Sequence, residues 1–384
     1  MQGKRSTHVF AILFLASIAL AACGGSDDTL TPPVLTKVAA LDNAQETTAS
    51  TSTGVGGGVL TVDTGTRKAS GFVVSTGVDN ASAAHIHSAA RGVPGGIIVT
   101  LAGGPDIWVV PDNTTLSAAN VTDFQNGNLY FNIHNAAFPD GAVRGQIDMT
   151  PTALKFASLD NTQETPPTDS AAKGGGLLAV DTATGKIAGF AVSDNVVGTA
   201  AHIHSAARGV PGGIIVPLVG GPSHWFVPDN TTLSAANVTG FQNDNLYYNI
   251  HSTAFPDGEI RGQLDMTPTR IRLASLDNTQ ETPPTDSAAK GGGVLAVDTA
   301  TGKAAGFAVS TGVIGTAAHI HSAARGVPGG IILPLAGGPS HWFVPDNTTL
   351  SAANVTGFQN GNLYYNIHSV TFPDGEIRGQ IDIP

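Results

Sequence analysis

Ala84-His85-Ile86-His87-Ser88-Ala89-Ala90-Arg91-Gly92-Val93-Pro94-Gly95-Gly96-Ile97-Ile98 is the most informative stretch of the chain. The same residues return from Ala201 and from Ala318, each time 117 residues later. A second signature, Asn-Ile-His, recurs at 132–134, 249–251 and 366–368 with the same spacing, and Leu-Asp-Asn-x-Gln-Glu begins at Leu41, Leu159 and Leu276. A unit of this size is far longer than a solenoid repeat of about 20–50 residues. It is the size of a domain with its own core. The chain therefore reads as three domains, at residues 36–149, 153–266 and 270–384.

Around the motif the hydrophobic period is two, which is the period of strands. In the second copy the expected strands are Leu154–Leu159, Leu177–Asp181, Lys186–Ser193, Ala200–Ser205, Gly213–Leu218, His224–Val227, Asn245–His251 and Glu259–Met266. Thr182-Ala183-Thr184-Gly185 and Phe255-Pro256-Asp257-Gly258 carry turn chemistry between neighbouring strands. Leu233–Val238 reads as a single helical turn, with Thr232 or Ser234 as its cap. Short antiparallel strands at this density predict an all-β sandwich or Greek-key barrel. The proline-bearing linkers 148–152 and 265–269 predict a semi-rigid string of self-sufficient beads.

Composition agrees with this reading. Of 384 residues, 48 are glycine, only 12% are charged and 41% are hydrophobic. That mixture suits packed cores joined by tight turns and excludes long-helix architectures. Eighteen basic residues against 29 acidic ones give a net charge of -11, which argues against a nucleic-acid partner. A single cysteine excludes an intrachain disulfide and a cysteine-based zinc site.

That cysteine has its own context. Lys4 and Arg5 precede an apolar run, Val9–Ala22, too short to span a bilayer. The segment reads as a secretory signal. Leu20-Ala21-Ala22-Cys23 resembles a bacterial lipobox, which implies removal of residues 1–22, lipidation of Cys23 and a flexible tether over 23–35. The expected location is the cell envelope, lipid-anchored, with the outer membrane as the expected site. The acidic chain offers no basic patch to hold it there, so the lipid is the expected membrane contact.

Leu159-Asp160-Asn161-Thr162-Gln163-Glu164-Thr165-Pro166-Pro167, then Ala201-His202-Ile203-His204, then Asn245–His251, then Gly258-Glu259-Ile260-Arg261-Gly262-Gln263 form an ordered set. This set resembles the CHRD (chordin-type) domain, end to end in each copy. In the first copy Thr47-Thr48-Ala49 replaces the Pro-Pro element and Ala142 replaces the glutamate. The resemblance implies a sandwich similar to that of Cu/Zn superoxide dismutase. It also implies a secreted or surface role without catalysis: binding of an extracytoplasmic protein or a glycan across three similar faces. Fold alone does not carry function.

The histidines offer a second function. His85, His87 and His134 recur as His202, His204 and His251, and as His319, His321 and His368. In a strand, the two histidines of His-x-His share a face. If the Asn-Ile-His strand lies beside them, three neutral imidazoles converge, a set suited to copper or zinc. The pattern resembles the copper-binding histidines of the dismutase, but without its zinc loop or disulfide. The competing reading is a polar cluster hydrogen-bonded to backbone and to Ser/Asn neighbours. His224 and His341 stand as candidate fourth ligands, with Ile107 in their place in the first copy.

Other residues carry weaker signals. Arg144, Arg261 and Arg378 share a strand face with neighbouring polar groups, and Glu259 and Glu376 suggest solvated ion pairs with the later two. Gln45-Glu46 and its copies read as a capped turn after the first strand. Trp108, Trp225 and Trp342 read as core or rim packing, with sugar stacking as the alternative. Neither a Walker loop nor a Gly-x-Ser-x-Gly elbow is present.

Overall fold

In the computed structural model, residues 34–382 are described. The segment 1–33, which holds the expected signal, Cys23 and most of the tether, lies outside them. The first repeat contains β1 (Val34–Leu41), β2 (Val55–Asp63), β3 (Ala69–Thr76), β4 (Ala83–Ser88), β5 (Gly96–Thr100), β6 (Ala102–Gly103), β7 (Ile107–Val109), α1 (Ala118–Gln125), β8 (Leu129–His134) and β9 (Val143–Gln146). One sheet has the order β1-β2-β3-β7-β6 and the other β5-β4-β8-β9, all antiparallel. The other repeats have the same order. There the pairs Asp160↔Arg261 and Asp277↔Arg378 join the two sheets along one edge, as the bridge Asp42↔Arg144 does in the first.

The second repeat follows the expected strand list closely, with instructive departures. Its second strand starts at Lys173, just ahead of the run Gly174-Gly175-Gly176, and extends to Val180. A two-residue strand, Val219–Gly220, was not expected. The helical turn is a full eight-residue helix, Ala235–Gln242, whose N-cap Ser234 accepts a hydrogen bond from Asn237 N–H. The turn after the first strand is a 3-10 turn, Asn161–Gln163, capped by the Asp160 carboxylate.

Each repeat has its own core between its two sheets. In the first repeat Leu60, Val62, Val73 and Trp108 meet Ile86, Phe124, Phe131 and Ile133 there. The five-stranded sheet also buries its other face. Val38, Val59, Phe72, Val74, Ile107 and Val109 join equivalent residues of both other repeats in one common core. At its centre Phe72, Phe190 and Phe307 meet edge to face, with centroids 6.0–6.2 Å apart. Such T-shaped contacts match the ring quadrupoles.

This arrangement corrects the string of beads. The three repeats close into a pseudo-threefold ring. Arg91 pairs with Asp229 at 2.7 Å, Arg208 with Asp346 at 2.8 Å, and Arg325 with Asp112 at 2.8 Å. The last of these returns from the third repeat to the first. Linker residues belong to the structure: Met149 and Met266 lie in the common core, and Asp148 and Asp265 bind Arg91 and Arg208.

The Gly-Gly-Gly run makes this double burial possible. A Cβ at Gly57 would stand 2.8 Å from Phe226 Cδ1, and one at Gly292 2.8 Å from Phe72 Cβ, each across a repeat boundary. On the opposite face, a Cβ at Gly176 would stand 2.9 Å from Tyr248 Cε2 in the repeat's own core. Aromatic rings from both sides fill the space that side chains would occupy.

Candidate metal centre

The outer face of the four-stranded sheet carries the histidines. β4 pairs with β8 in the register His85↔Asn132 and His87↔Tyr130. The period of two then places His85, His87, Tyr130, Asn132 and His134 on one face. The sequence expectation that these imidazoles converge is met in every repeat. His85, His87 and His134, and the sets His202, His204, His251 and His319, His321, His368, each bring their ligand nitrogens within 4.8 Å of one another.

Two imidazoles of each set are oriented from behind. His87, His204 and His321 each hold Nδ1 2.9 Å from the carbonyl of Gly95, Gly212 or Gly329. His134, His251 and His368 hold theirs 3.0 Å from the carbonyl of Pro139, Pro256 or Pro373. A carbonyl only accepts, so the proton is on Nδ1 and the Nε2 lone pair is free. Nε2 of His87, His204 and His321 is buried and has no partner. In the second and third repeats, Nδ1 of His202 and His319 reaches Nε2 of His251 and His368 at 3.1 Å. In the first repeat, His85 Nδ1 and His134 Nε2 are both left unpartnered.

The AARGVPGG part of the motif is the bracket for this set. Tyr130 stacks on His87 at 4.9 Å and 11°. The Arg144 guanidinium lies over the same tyrosine ring, 3.5 Å from the Tyr130 centroid, and donates to the carbonyls of Ala90 and Val93. Gln146 Nε2 donates to Ala89 O, and Gly95 N–H donates to the Tyr130 hydroxyl. The loop is therefore tied to the sheet along its length, and its glycine carbonyl fixes His87. Tyr247 with Arg261 and Tyr364 with Arg378 repeat the stack. These tyrosines were not singled out from sequence, although Tyr130 stands four residues before His134 on the same face.

Burial lowers the basicity of the imidazoles. Desolvation is the largest cause for His85, pushed down to about 4, and for His87, His134, His202, His204, His319, His321 and His368. They are neutral at neutral pH, the form that binds metal.

Several expectations are corrected by placement. Arg261 is 2% exposed and donates to Val210 O, Ala207 O and Gln263 Oε1. It is a buried strut, whereas Glu259 accepts from Ser170 Oγ instead. Trp108, Trp225 and Trp342 are 4–5% exposed, so their indoles are core, the reading expected first, and do not offer a sugar platform. His224 and His341 do not join the triads. They face each other across a repeat boundary, Nε2 to Nε2 at 2.8 Å.

Each repeat is thus an antiparallel β-sandwich that presents a bracketed trihistidine cluster on its outer face. Residues 38–147, 156–264 and 273–381 match the CHRD domain. The chain belongs to that family. No curated protein and no solved structure matches it.

Proposed function

We propose that this is an exported, lipid-anchored envelope protein that binds three copper or zinc ions, one on the outer face of each repeat, without turning over a substrate. One observation carries the reading: in all three repeats an orphaned, buried Nε2 faces two further imidazole nitrogens, with its own Nδ1–H committed to a carbonyl. A metal held at about 2.0–2.1 Å by three nitrogens needs them about 3.5 Å apart; pairs wider than this, all within 4.8 Å, close in, and the pairs at 3.1 Å, His202–His251 and His319–His368, open slightly. Nδ1–H···O=C bonds are the usual outer support of a ligating histidine. Three neutral imidazoles suit copper or zinc better than hard cations.

Calorimetric titration of the chain with Zn(II) or Cu(II) at neutral pH tests this. About three ions per chain are expected, with H87A/H204A/H321A binding none while keeping its circular dichroism spectrum. Equal uptake by the two proteins overturns the reading.

A second reading, binding of a protein partner, has one observation in its favour. Val93 and Ile97 beside the first cluster are half exposed, and Val210 with Ile214 and Val327 with Ile331 repeat them. Three similar apolar rims on one rigid body would give avidity toward a repetitive partner. V93S/V210S/V327S should then weaken adhesion to intact envelopes without changing metal uptake.

A further inference from the structure

The second and third repeats each contain a groove walled by a Pro-Pro pair that the first repeat lacks. In the second, Thr165–Asp169 forms one wall and Ala254–Gly258 the other, enclosing ≈ 520 Å³. In the third, Thr282–Asp286 and Thr371–Gly375 enclose ≈ 540 Å³. Pro166 and Pro167 face Phe255 and Pro256 across the groove, so the walls are apolar. Its charged lining residues, Glu164, Asp169 and Asp257, are all acids.

At the base, Glu164 is 8% exposed and its Oε1 has no partner. Asn249 Oδ1 is also buried and unpartnered. Both oxygens converge beneath the turn: a Cβ on Gly258 would lie 2.8 Å from one and 2.7 Å from the other. Glu281 and Asn366 repeat this beneath Gly375. Two buried acceptors need a donor between them, either the carboxyl's own proton or a ligand's N–H. Arg261 acts on Glu164 through its charge only; its hydrogen bonds go to Ala207, Val210 and Gln263. The groove is held open by its own bonds, Asn161 Nδ2–H to Thr168 O at 2.7 Å and Thr168 Oγ1–H to Glu259 O at 2.9 Å.

We infer that these two grooves bind an organic cation with an apolar stem, specifically the arginine or lysine side chain of a partner peptide. The stem lies between the proline and phenylalanine walls, and the cationic head reaches the Glu–Asn oxygens. A hard metal ion fits poorly, since it needs a tight shell of about six to eight oxygens and gains nothing from proline rings. The first repeat is the internal control. It keeps the unpartnered pair, Glu46 Oε1 and Asn132 Oδ1 beneath Gly141, but Thr48 and Ala49 stand where Pro166 and Pro167 stand, so it lacks the proline wall.

The groove shares Pro256 and Pro373 with the histidine brackets, but Glu164 and Glu281 bond no histidine, so variants there test the groove without touching the metal reading. N-acetylarginine amide is titrated into the full chain by saturation-transfer NMR, with N-acetylnorleucine amide as the uncharged control. Binding of the arginine probe only is expected. E164Q and E281Q should each remove about half of the signal, the double variant should lose tenfold or more in affinity, and E46Q should change nothing. All variants must keep the wild-type melting temperature within a few degrees. Equal binding of the norleucine probe, an unchanged double variant, or binding by calcium but not by the arginine probe overturns the proposal.

Discussion

Each repeat has two exposed-looking sheet faces in isolation, and they have opposite fates. The outer face of the four-stranded sheet keeps the same three histidines in every repeat, with the imidazole-to-glycine-carbonyl bond at 2.9 Å each time. The axis face of the five-stranded sheet differs from repeat to repeat. Ile107 takes the register place of His224 and His341, and Ala40 that of Ser158 and Ser275. Ser158 Oγ donates to Val344 O, and Ser275 Oγ to Val110 O, across repeat boundaries. The difference follows from geometry. On the outer face a residue meets only its own repeat, so one solution serves three times. Near a pseudo-threefold axis, a residue meets its own copies. A two-membered hydrogen bond can satisfy two imidazoles, and the third place is then better filled by an apolar side chain.

The sharpest way to break this comparison is to cut a repeat out. Residues 153–267 alone would expose Phe156, Leu177, Phe190, Val192, Phe226 and Met266, all of which are buried in the common core. A patch of that kind does not stay in water. The fragment should assemble into a threefold homotrimer or aggregate, as light scattering after size exclusion would report. A well-folded monomer at micromolar concentration would restore the beads expected from the sequence.

Next in size is truncation on the two faces. Phe190→Ala empties the centre of the aromatic triad and should cost about 3–5 kcal/mol, read from urea unfolding. His204→Ala on the outer face leaves one acceptor, the Gly212 carbonyl, without its donor, and should cost about 1 kcal/mol. Similar costs for the two would mean that the faces are not as different as their packing implies.

The local part of the fold was legible in sequence because it is written in local signals. The strand period, the Asp-Gly turns and the in-register histidines all lie within one repeat. The ring was not read, although its signal was present. Gly71-Phe72-Val73-Val74 and Gly176-Leu177-Leu178-Ala179-Val180 are continuous apolar runs, the mark of strands buried on both faces. A domain facing water on that side would alternate. The Gly-Gly-Gly run was read as not a phosphate loop, but its actual reason, rings pressing from both faces, depends on residues in another repeat. The buried role of Arg144 was hidden because its acceptors are backbone carbonyls, which carry no sequence signature.

The arginine clamps give a smaller effect. Arg208 bonds Asp265, Asp346 and Gln163 and is about a third exposed. Partly solvated pairs are screened, so Arg208→Ala should cost only about 1–2 kcal/mol, and the cost should shrink in high salt. The same change at Arg325 opens the closing joint of the ring. Double-mutant cycles with Asp346 and with Asp112 should return similar coupling energies. A much larger value at one joint would show that the ring is not closed evenly.

The smallest effect at neutral pH, and the most specific, concerns His224 and His341. Ser340 Oγ lies 2.9 Å from His341 Nδ1, and His224 Nδ1 bonds the Ser75 carbonyl. One proton order satisfies the whole chain: Ser340 O–H to His341, His341 Nε2–H to His224 Nε2, and His224 Nδ1–H to Ser75. Both rings are then neutral, and burial pushes them down to about 4 and about 3. Their ordinary value is about 6.5, so below that pH the unfolded chain binds more protons than the folded one, and stability falls as pH falls. Between pH 7 and 5 this amounts to roughly 2 kcal/mol per histidine. Glu46, Glu164 and Glu281, raised by burial to about 7, act in the opposite direction, since their folded state takes up protons first. Those glutamates and the outer histidines are common to wild type and variant, so they cancel in the difference. H224I/H341I, which copies Ile107 into all three places, should melt near the wild-type temperature at pH 7 and several degrees above it at pH 5. An equal difference at both pH values would mean that the pair takes up protons in the folded protein as readily as in the unfolded chain.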